Sequence, residues 1–320
     1  MMQLAVSGAN GFVGRALCRI LHDAGHGVTA LVRRPSSVEQ GTLELVIPDD
    51  HFASIAHGNP AVGHIDTFVH LAARVHVMQD CAADPLVEYR AVNVTGTLNA
   101  ASAALKAGAR RFVFVSSVKA LGEGEPGRPW REDDRPSPTD PYGISKFEAE
   151  QALLAFGEEY RMEIAIVRPP LVYGPGVRAN FLGLMRAIAR GIPLPIGKVD
   201  ARRSMVFLGN LADGLRALAT DSRPVHGVYH VTDGDDLTVA GMARAIGDAL
   251  GRPARLIPIP VGLLRGFGHM TGKVAQVERL TCPLRMSAVR LHEELGWTPP
   301  WTVAQGLAET ARAFNAEHTQ

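Results

Sequence analysis

Apolar positions in the first half of the chain gather into short runs with few polar interruptions, and between these runs the spacing changes to that of a helix. Gln3-Leu4-Ala5-Val6-Ser7 is the first run, and Ala16, Leu17, Ile20 and Leu21 follow it at helical period. Further runs cover Val28–Val32, Leu43–Ile47, Thr67–Leu71, Arg111–Ser116 and Glu163–Arg168, with helical stretches around Pro85–Lys106 and Tyr142–Glu159. A strand that is apolar at every position has both faces covered, as in a parallel sheet layered by helices. The alternation therefore predicts an α/β fold of parallel strands joined by crossover helices.

Past Pro170 the pattern loosens. Residues 1–170 read as a nucleotide-binding domain, joined by a strand returning near 205–232, and residues 171–320 as mainly a smaller C-terminal substrate-binding domain. Helices are expected at Val239–Leu250 and Val303–Phe314. The apolar, proline-broken Leu256–Phe267 between them reads as a packed core loop in preference to a substrate lid or an oligomer contact. The proline-rich segment from Pro126 to Pro141 reads as a loop over a cleft, or as a plain connector.

The first turn carries chemistry. Gly8-Ala9-Asn10-Gly11-Phe12-Val13-Gly14 stands between a strand and a helix, which is the dinucleotide-binding arrangement of a Rossmann-type doubly wound sheet. Gly8 permits the tight turn, Gly11 lets the backbone approach a pyrophosphate, and Gly14 lets the helix lie against the strand. Free N–H groups at the helix start then face the phosphates, so Gly8, Asn10, Gly11, Phe12, Val13 and Gly14 are the candidate phosphate loop. A purely structural glycine turn is the alternative. The second strand ends in Arg33-Arg34, where an NAD-selective site usually has an acid for the ribose 2′-OH. Two guanidiniums suit the 2′-phosphate of NADP, a solvated basic turn being the competing reading. NADP(H) is therefore expected ahead of NAD(H). Asp49 and Asp50 either meet the adenine edge or cap a turn. Leu71, Ala72 and Ala73 end the fourth strand in small residues that let a ribose approach. Ser117, Pro169 and Leu171 follow later strands at the same carboxyl edge, where open α/β sheets bind ligands.

Tyr142-Gly-Ile-Ser-Lys146 opens a helix, with Asp140 suited to the N-cap and Pro141 to the first helical position. Phenol and ammonium then lie one turn apart on one face, within about 6 Å. A tyrosine of pKa about 10 must drop by roughly 3 units to transfer protons near neutrality, and a neighbouring cation supplies part of that. An ordinary helix start is the competing reading of so short a motif. Between residues 168 and 203, Arg168, Arg178, Arg186, Arg190, Lys198, Arg202 and Arg203 face a single acid, Asp200. Such an excess suits an anionic ligand such as a diphosphate. Arg178 and Arg203 are the better candidates, because Arg186 and Arg190 sit four apart on a helix face.

Composition narrows the classes. With 320 residues and 46% hydrophobic content the chain can bury a large core. A net charge of +1 gives no global field for nucleic acid or an acidic membrane. No run approaches about 18 apolar residues, and a strand starting at residue 3 leaves no room for a signal peptide, so a cytoplasmic protein is expected. Cys18, Cys81 and Cys282 form no C-x-x-C pair and read as reduced packing residues. His70 and His76 flank a strand end without zinc-site spacing, so no metal is expected.

Gly8-x-x-Gly11-x-x-Gly14, Ser117, Tyr142-x-x-x-Lys146 and Arg168-Pro169-Pro170-Leu171-Val172-Tyr173-Gly174-Pro175 together resemble the extended short-chain dehydrogenase/reductases of the nucleotide-sugar epimerase/dehydratase family, over nearly the whole chain. Ser116-Ser117-Val118-Lys119 and the stretch from Tyr173 to Phe181 resemble the branch holding UDP-glucose 4-epimerase-like proteins and UDP-4-keto-N-acetylhexosamine 4-reductases of surface-polysaccharide synthesis. The resemblance implies hydride transfer at a sugar carbon, usually C4. It makes Tyr142 the acid/base, Lys146 the holder of the nicotinamide ribose, and Ser117 the partner of the reacting oxygen. It assigns Asn180, Phe181 and Arg203 to the nucleoside diphosphate, and Lys119 and Arg178 are further candidate contacts to the UDP-sugar. Relatives that remove water carry an Asp-Glu pair where Val118 and Lys119 stand, so a 4,6-dehydratase is disfavoured. Leu121 also replaces a tyrosine frequent in relatives. Arg33-Arg34 favour an exchangeable NADPH and hence a 4-reductase. A 4-epimerase with tightly held NAD is the alternative, and a non-catalytic dinucleotide sensor the alternative of another class. Relatives commonly form homodimers.

Overall fold

The computed structural model describes residues 1–35, 38, 42–49, 51–59, 62–75 and 84–318. Asp50, His76 and Cys81 lie outside the described residues. In chain order the strands are β1 (Gln3–Ser7), β2 (Gly27–Val32), β3 (Leu43–Val46), β4 (Thr67–His70), β5 (Arg111–Val115), β6 (Glu163–Arg168), β7 (Leu171–Tyr173), β8 (Arg202–Arg203), β9 (Met205–Phe207), β10 (Gly227–His230) and β11 (Leu237–Thr238). The helices are α1 (Phe12–Asp23), α2 (Pro85–Arg90), α3 (Gly96–Lys106), α4 (Pro141–Tyr160), α5 (Ala179–Ala189), α6 (Leu208–Thr220), α7 (Val239–Ala249), α8 (Val261–Met270), α9 (Val274–Thr281), α10 (Val289–Leu295) and α11 (Val303–His318).

Seven strands form one sheet in the order β10-β6-β5-β4-β1-β2-β3, and every pairing is parallel. Alternate residues of each strand serve opposite faces. Leu4, Val6, Val69, Val113, Ala165 and Val167 pack with Leu17 and Leu21 of α1 and Leu211, Leu215 and Leu218 of α6. Ala5, Phe68, Phe112, Phe114, Ile164 and Ile166 meet Ala100 and Ala104 of α3 and Ala149 and Leu153 of α4. These two buried faces explain the uninterrupted apolar runs. β1 lies between β2 and β4, so the chain winds in opposite directions from it and leaves a crevice at its carboxyl end.

β10 returns from the C-terminal half to pair with β6, opposing His230 to Arg168. The helix expected over 85–106 is interrupted at Ala91–Thr95 by one wide turn with an i to i+5 bond, Gly96 N–H to the Ala91 carbonyl. The remaining chain builds a third core around Tyr173, Phe181, Met185, Ile188, Met205, Phe207, Met242, Ile246 and Leu307. The Tyr173 hydroxyl donates to Asp233 Oδ2 at 2.8 Å, and Asp233 Oδ1 accepts from Phe207 N and Asn210 Nδ2, both at 2.7 Å. That carboxylate ties β7, β9 and α6 together.

The packed core loop expected within 256–267 is instead the entry to a helical hairpin, α8–α9. Val261 and Leu264 touch the third core, whereas Leu263 and Phe267 point outward and are 66% and 64% exposed. A Cβ on Gly268 would lie 2.9 Å from Val277, so the glycine sets the close approach of the two helices. Among the described residues no helix is long and apolar enough to cross a membrane.

Candidate active site

The glycine turn builds a cradle at the sheet's switch point. Gly8 has φ +67°, and a Cβ there would stand 2.9 Å from the Ala72 nitrogen, so β1 and the end of β4 meet backbone to backbone. A methyl on Gly14 would run into the carbonyl of Gly8, which fixes α1 against its own strand. Gly11 is the N-cap of α1 and supplies no side-chain bond, leaving the first N–H groups open to an anion. The resulting cleft, of about 590 Å³, is lined by Gly8, Asn10, Gly11, Phe12, Val13, Gly14, Arg33, Asp49, Leu71, Ala72 and Ala73. Its size, glycine floor and uncapped helix fit a dinucleotide. Asp49 also caps the following turn, accepting from Ala53 N at 2.8 Å and from Ser54. Leu31, Val32 and Ile47 also line it, as do Phe52, Arg74, Val75 and Val92, which were not anticipated. Arg34 is exposed and outside this lining. Pro169 and Leu171 are outside it too: the Pro169 carbonyl accepts from Val118 N at 2.9 Å, and Leu171 is exposed.

Further along the same edge, α4 begins on top of the short turn Val118–Ala120. Asp140 caps α4 by accepting from Gly143 N at 3.0 Å, with Pro141 in the first helical turn. A methyl on Gly143 would collide with the Lys119 carbonyl oxygen, so only glycine allows this contact. Ser117 caps the 118–120 turn, its Oγ accepting from Lys119 N at 3.2 Å. The juxtaposition sets the Ser117 hydroxyl near the Tyr142 phenol. Burial pushes that phenol up to about 12; the neighbouring Ser117 hydroxyl opposes the shift, and Asp140 and Tyr89 add to it.

Lys146 departs from expectation. It is 1% exposed, its Nζ donates to the Val115 carbonyl at 2.7 Å, and it lies 4.1 Å from the centre of the Phe114 ring. Burial pulls the ammonium down to about 7, with Glu150 partly opposing. The lysine thus caps the end of β5, and the phenol stands above its ordinary value where a lowered one was expected. The protein alone does not ionise Tyr142.

Two buried polar groups hold this arrangement and were not read from the sequence. Asn93, in the wide turn before α3, donates to Ser145 Oγ at 2.9 Å and to the Arg74 carbonyl at 3.1 Å, and accepts from Arg74 N at 2.8 Å. It therefore binds the wall of the cofactor cleft to α4. Wide turns of this kind gather at functional sites, and an asparagine amid helical residues was the one available signal. Glu150 accepts from Arg168 at 2.5 Å and from Ser116 Oγ at 2.5 Å, with all three side chains buried. Arg168 is thereby removed from the basic excess attributed to a ligand. His70 bonds Ser7 Oγ at 2.8 Å, and burial, with the Lys146 charge beside it, pulls its pKa to about 3. The described residues contain no group of three or more His, Cys, Asp or Glu able to hold a metal.

The substrate candidates do not all converge. Lys119 Nζ bonds Glu123 at 2.6 Å beside Ser117. Arg203 is half-buried and donates to the carbonyls of Arg279 and Cys282. Asn180 is exposed at the start of α5. Phe181 is a core residue, 3% exposed and stacked on Tyr173 at 5.4 Å, because it shares the apolar helix face of Met185 and Ile188. Arg178 lines a different groove, of about 750 Å³, against Phe12, Arg15 and Trp301.

Dinucleotide-dependent oxidoreductases are the class in which such a cradle and a phenol beside a serine share one sheet edge. The chain belongs to the NAD dependent epimerase/dehydratase family, whose model matches residues 4–231. It is 40% identical to a UDP-glucose 4-epimerase of Vibrio cholerae, over 97% of this chain and 95% of that protein. The fold is shared with a UDP-N-acetylglucosamine 4-epimerase of Bacillus cereus at TM-score 0.79 and 20% identity, covering 98% of this chain and 99% of that one. A protein solved with UDP-glucose and NAD, MoeE5, matches at TM-score 0.76 and 26% identity over 98% and 99% of the two chains. The chain is thus an NAD-dependent enzyme of the extended short-chain dehydrogenase/reductase type.

Proposed function

We propose that this enzyme works by oxidation and reduction at C4 of a UDP-hexose, and that its reaction is 4-epimerisation. The observation that carries the chemistry is the packing of the Tyr142 helix start on the turn capped by Ser117, at the same sheet edge as the glycine-lined cleft. A bound nicotinamide supplies the hydride acceptor and donor and, when oxidised, a positive charge that favours the phenolate. Tyr142 takes the C4 hydroxyl proton as that carbon is oxidised and returns it after the keto-sugar has turned over. Ser117 holds the reacting oxygen in line with the phenol. Lys146, whose Nζ donates to the Val115 carbonyl, would hold the nicotinamide ribose. Gly8 to Gly14 and Ala72 receive the pyrophosphate and ribose, and Lys119, Asn180 and Arg203 lie toward the UDP. Residues 1–170 with the returning β10 serve the cofactor, and the rest mainly the substrate.

Epimerisation stands first because the Vibrio cholerae relative named for it matches along almost the whole of both chains. Reduction of a UDP-4-keto-hexose, with NADPH, is the second reading. Arg33 supports it by lining the cofactor cleft where an acid would mark an NAD site. Dehydration has no support, since Val118 packs with Leu121 and Trp130, and Lys119 pairs with Glu123. Stoichiometry decides between the two. Interconversion of UDP-glucose and UDP-galactose without net cofactor change supports the epimerase, whereas steady consumption of NADPH with a UDP-4-keto-hexose rejects it in favour of the reductase.

A further inference from the structure

Helix α8 turns three large apolar side chains to solvent. Leu263, Phe267 and Met270 are 66%, 64% and 86% exposed. Spaced at i, i+4 and i+7, they form one stripe along the helix. The opposite side of α8, Val261 and Leu264, holds it to the third core, so the stripe is not a frayed end seeking its own interior. The charges around it are segregated. The hairpin carries Arg265, Lys273 and Arg279 against a single acid of its own, Glu278, with Glu123 lying 3.9 Å from Arg279, although the whole chain is only +1. Glu278 pairs with Arg265 at 3.0 Å, which locks α8 to α9. Lys273, three residues beyond Met270, is exposed and without an acidic partner among the described residues. A near-neutral total therefore conceals a basic hairpin with an apolar crest.

We propose that the α8–α9 hairpin docks on the surface of an anionic lipid bilayer, seating Leu263, Phe267 and Met270 at the acyl boundary with Lys273 among the headgroups. Amphipathic helices bind in this way through apolar burial combined with attraction of basic residues to anionic lipid. A second copy of the chain fits the face poorly. A ten-residue helix is about 15 Å long and about 10 Å wide, so its crest offers on the order of 150 Å², far below the roughly 800 Å² per partner of a stable interface. Two basic hairpins meeting face to face would also repel each other. The docked surface adjoins the candidate substrate groups: Arg203 donates to the carbonyls of Arg279 and Cys282, and Arg279 lies 3.9 Å from Glu123, the partner of Lys119. Docking therefore brings Arg203 and the Lys119–Glu123 pair close to the lipid interface.

The test is co-sedimentation of the full chain with phosphatidylglycerol vesicles and, separately, with phosphatidylcholine vesicles, in low and high salt. Pelleting with phosphatidylglycerol that falls at high salt, and is weak with phosphatidylcholine, is the expected result. A Leu263→Ser/Phe267→Ser/Met270→Ser variant should lose about tenfold or more in vesicle affinity while keeping its melting temperature and dinucleotide binding. Absence of binding to phosphatidylglycerol, or unchanged binding by the variant, overturns the proposal. A concentration-dependent dimer of the parent protein that the variant abolishes, seen by sedimentation equilibrium, overturns it too and assigns the face to a second copy. Should the triple variant fail to fold, Lys273→Glu carries the test, and undiminished affinity for phosphatidylglycerol in that variant overturns the proposal.

Discussion

Gly143 packs so tightly on the Lys119 carbonyl oxygen that no side chain fits between α4 and the turn following Ser117. The contact sets the separation of Ser117 and Tyr142. Gly143→Ala should force the start of α4 outward, costing about 1–3 kcal/mol of stability and lowering kcat far more than it weakens dinucleotide affinity. Calorimetry together with steady-state kinetics measures both; an alanine variant with unchanged kcat would show that this contact does not position the phenol.

Tyr142→Phe keeps the ring that meets Tyr89 edge-on at 6.0 Å and removes only the hydroxyl. General acid/base groups contribute about 10²–10⁴-fold. Turnover should fall by that order, with dinucleotide binding by fluorescence titration retained.

The buried Lys146 ammonium is a burden on the folded state. With a native pKa of about 7 against 10.5 in the unfolded chain, the unfolded form binds the extra proton between those values. Stability therefore rises with pH across that window, and the full penalty applies below it. Lys146→Met should stabilise the cofactor-free protein by a few kcal/mol, on the order of the pKa shift, at pH 6.5. The gain should shrink toward pH 10, while activity is lost. Denaturant melts at the two pH values provide the check.

His70 has the same sign at lower pH. Its ring stays neutral to about 3, whereas the unfolded residue protonates near 6.5, so stability is lost as pH falls through that interval. His70→Phe, among Phe52, Phe112 and Phe114, should reduce the slope of stability against pH between 5.5 and 4 by about 1.4 kcal/mol per unit. An unaltered slope would mean that the ring protonates without unfolding.

Arg33 lines the cofactor cleft, and Arg34 is outside its lining. Arg33→Ser should weaken NADPH by about tenfold, the order of one lost charge-assisted phosphate contact, and leave NADH nearly unchanged. Equal effects on the two coenzymes would remove the basis for the reductase reading.

The parallel sheet was legible because its strands are buried on both faces, and the glycine turn because backbone contact at Gly8 and Gly14 admits no other residue. Tyr142 and Ser117 were legible as a pair only through the resemblance, since the contact that joins them runs through Gly143 and the Lys119 backbone. What local patterning could not carry were groups satisfied by distant parts of the chain. Arg168 counted toward a ligand-binding excess until Glu150 was beside it, and Lys146 looked aimed at a phenol, whereas its Nζ is bonded to the Val115 carbonyl. Phe181 is the opposite case: its i, i+4, i+7 relation to Met185 and Ile188 was visible in the sequence, yet the resemblance assigned it to the substrate and the structure buries it in the third core.

The pairing of β10 with β6 gives the molecule a late seam. Strands β1 to β6 are complete by Arg168, but the hydrogen-bonding edge of β6 stays open until Gly227–His230 has been made. During synthesis, roughly sixty residues must leave the ribosome while that apolar edge waits, at about 5–20 residues per second. An unpaired edge of this kind invites a strand from another nascent chain. Interrupting translation between α5 and β10 should therefore yield aggregates templated on β6, while release after residue 231 should not.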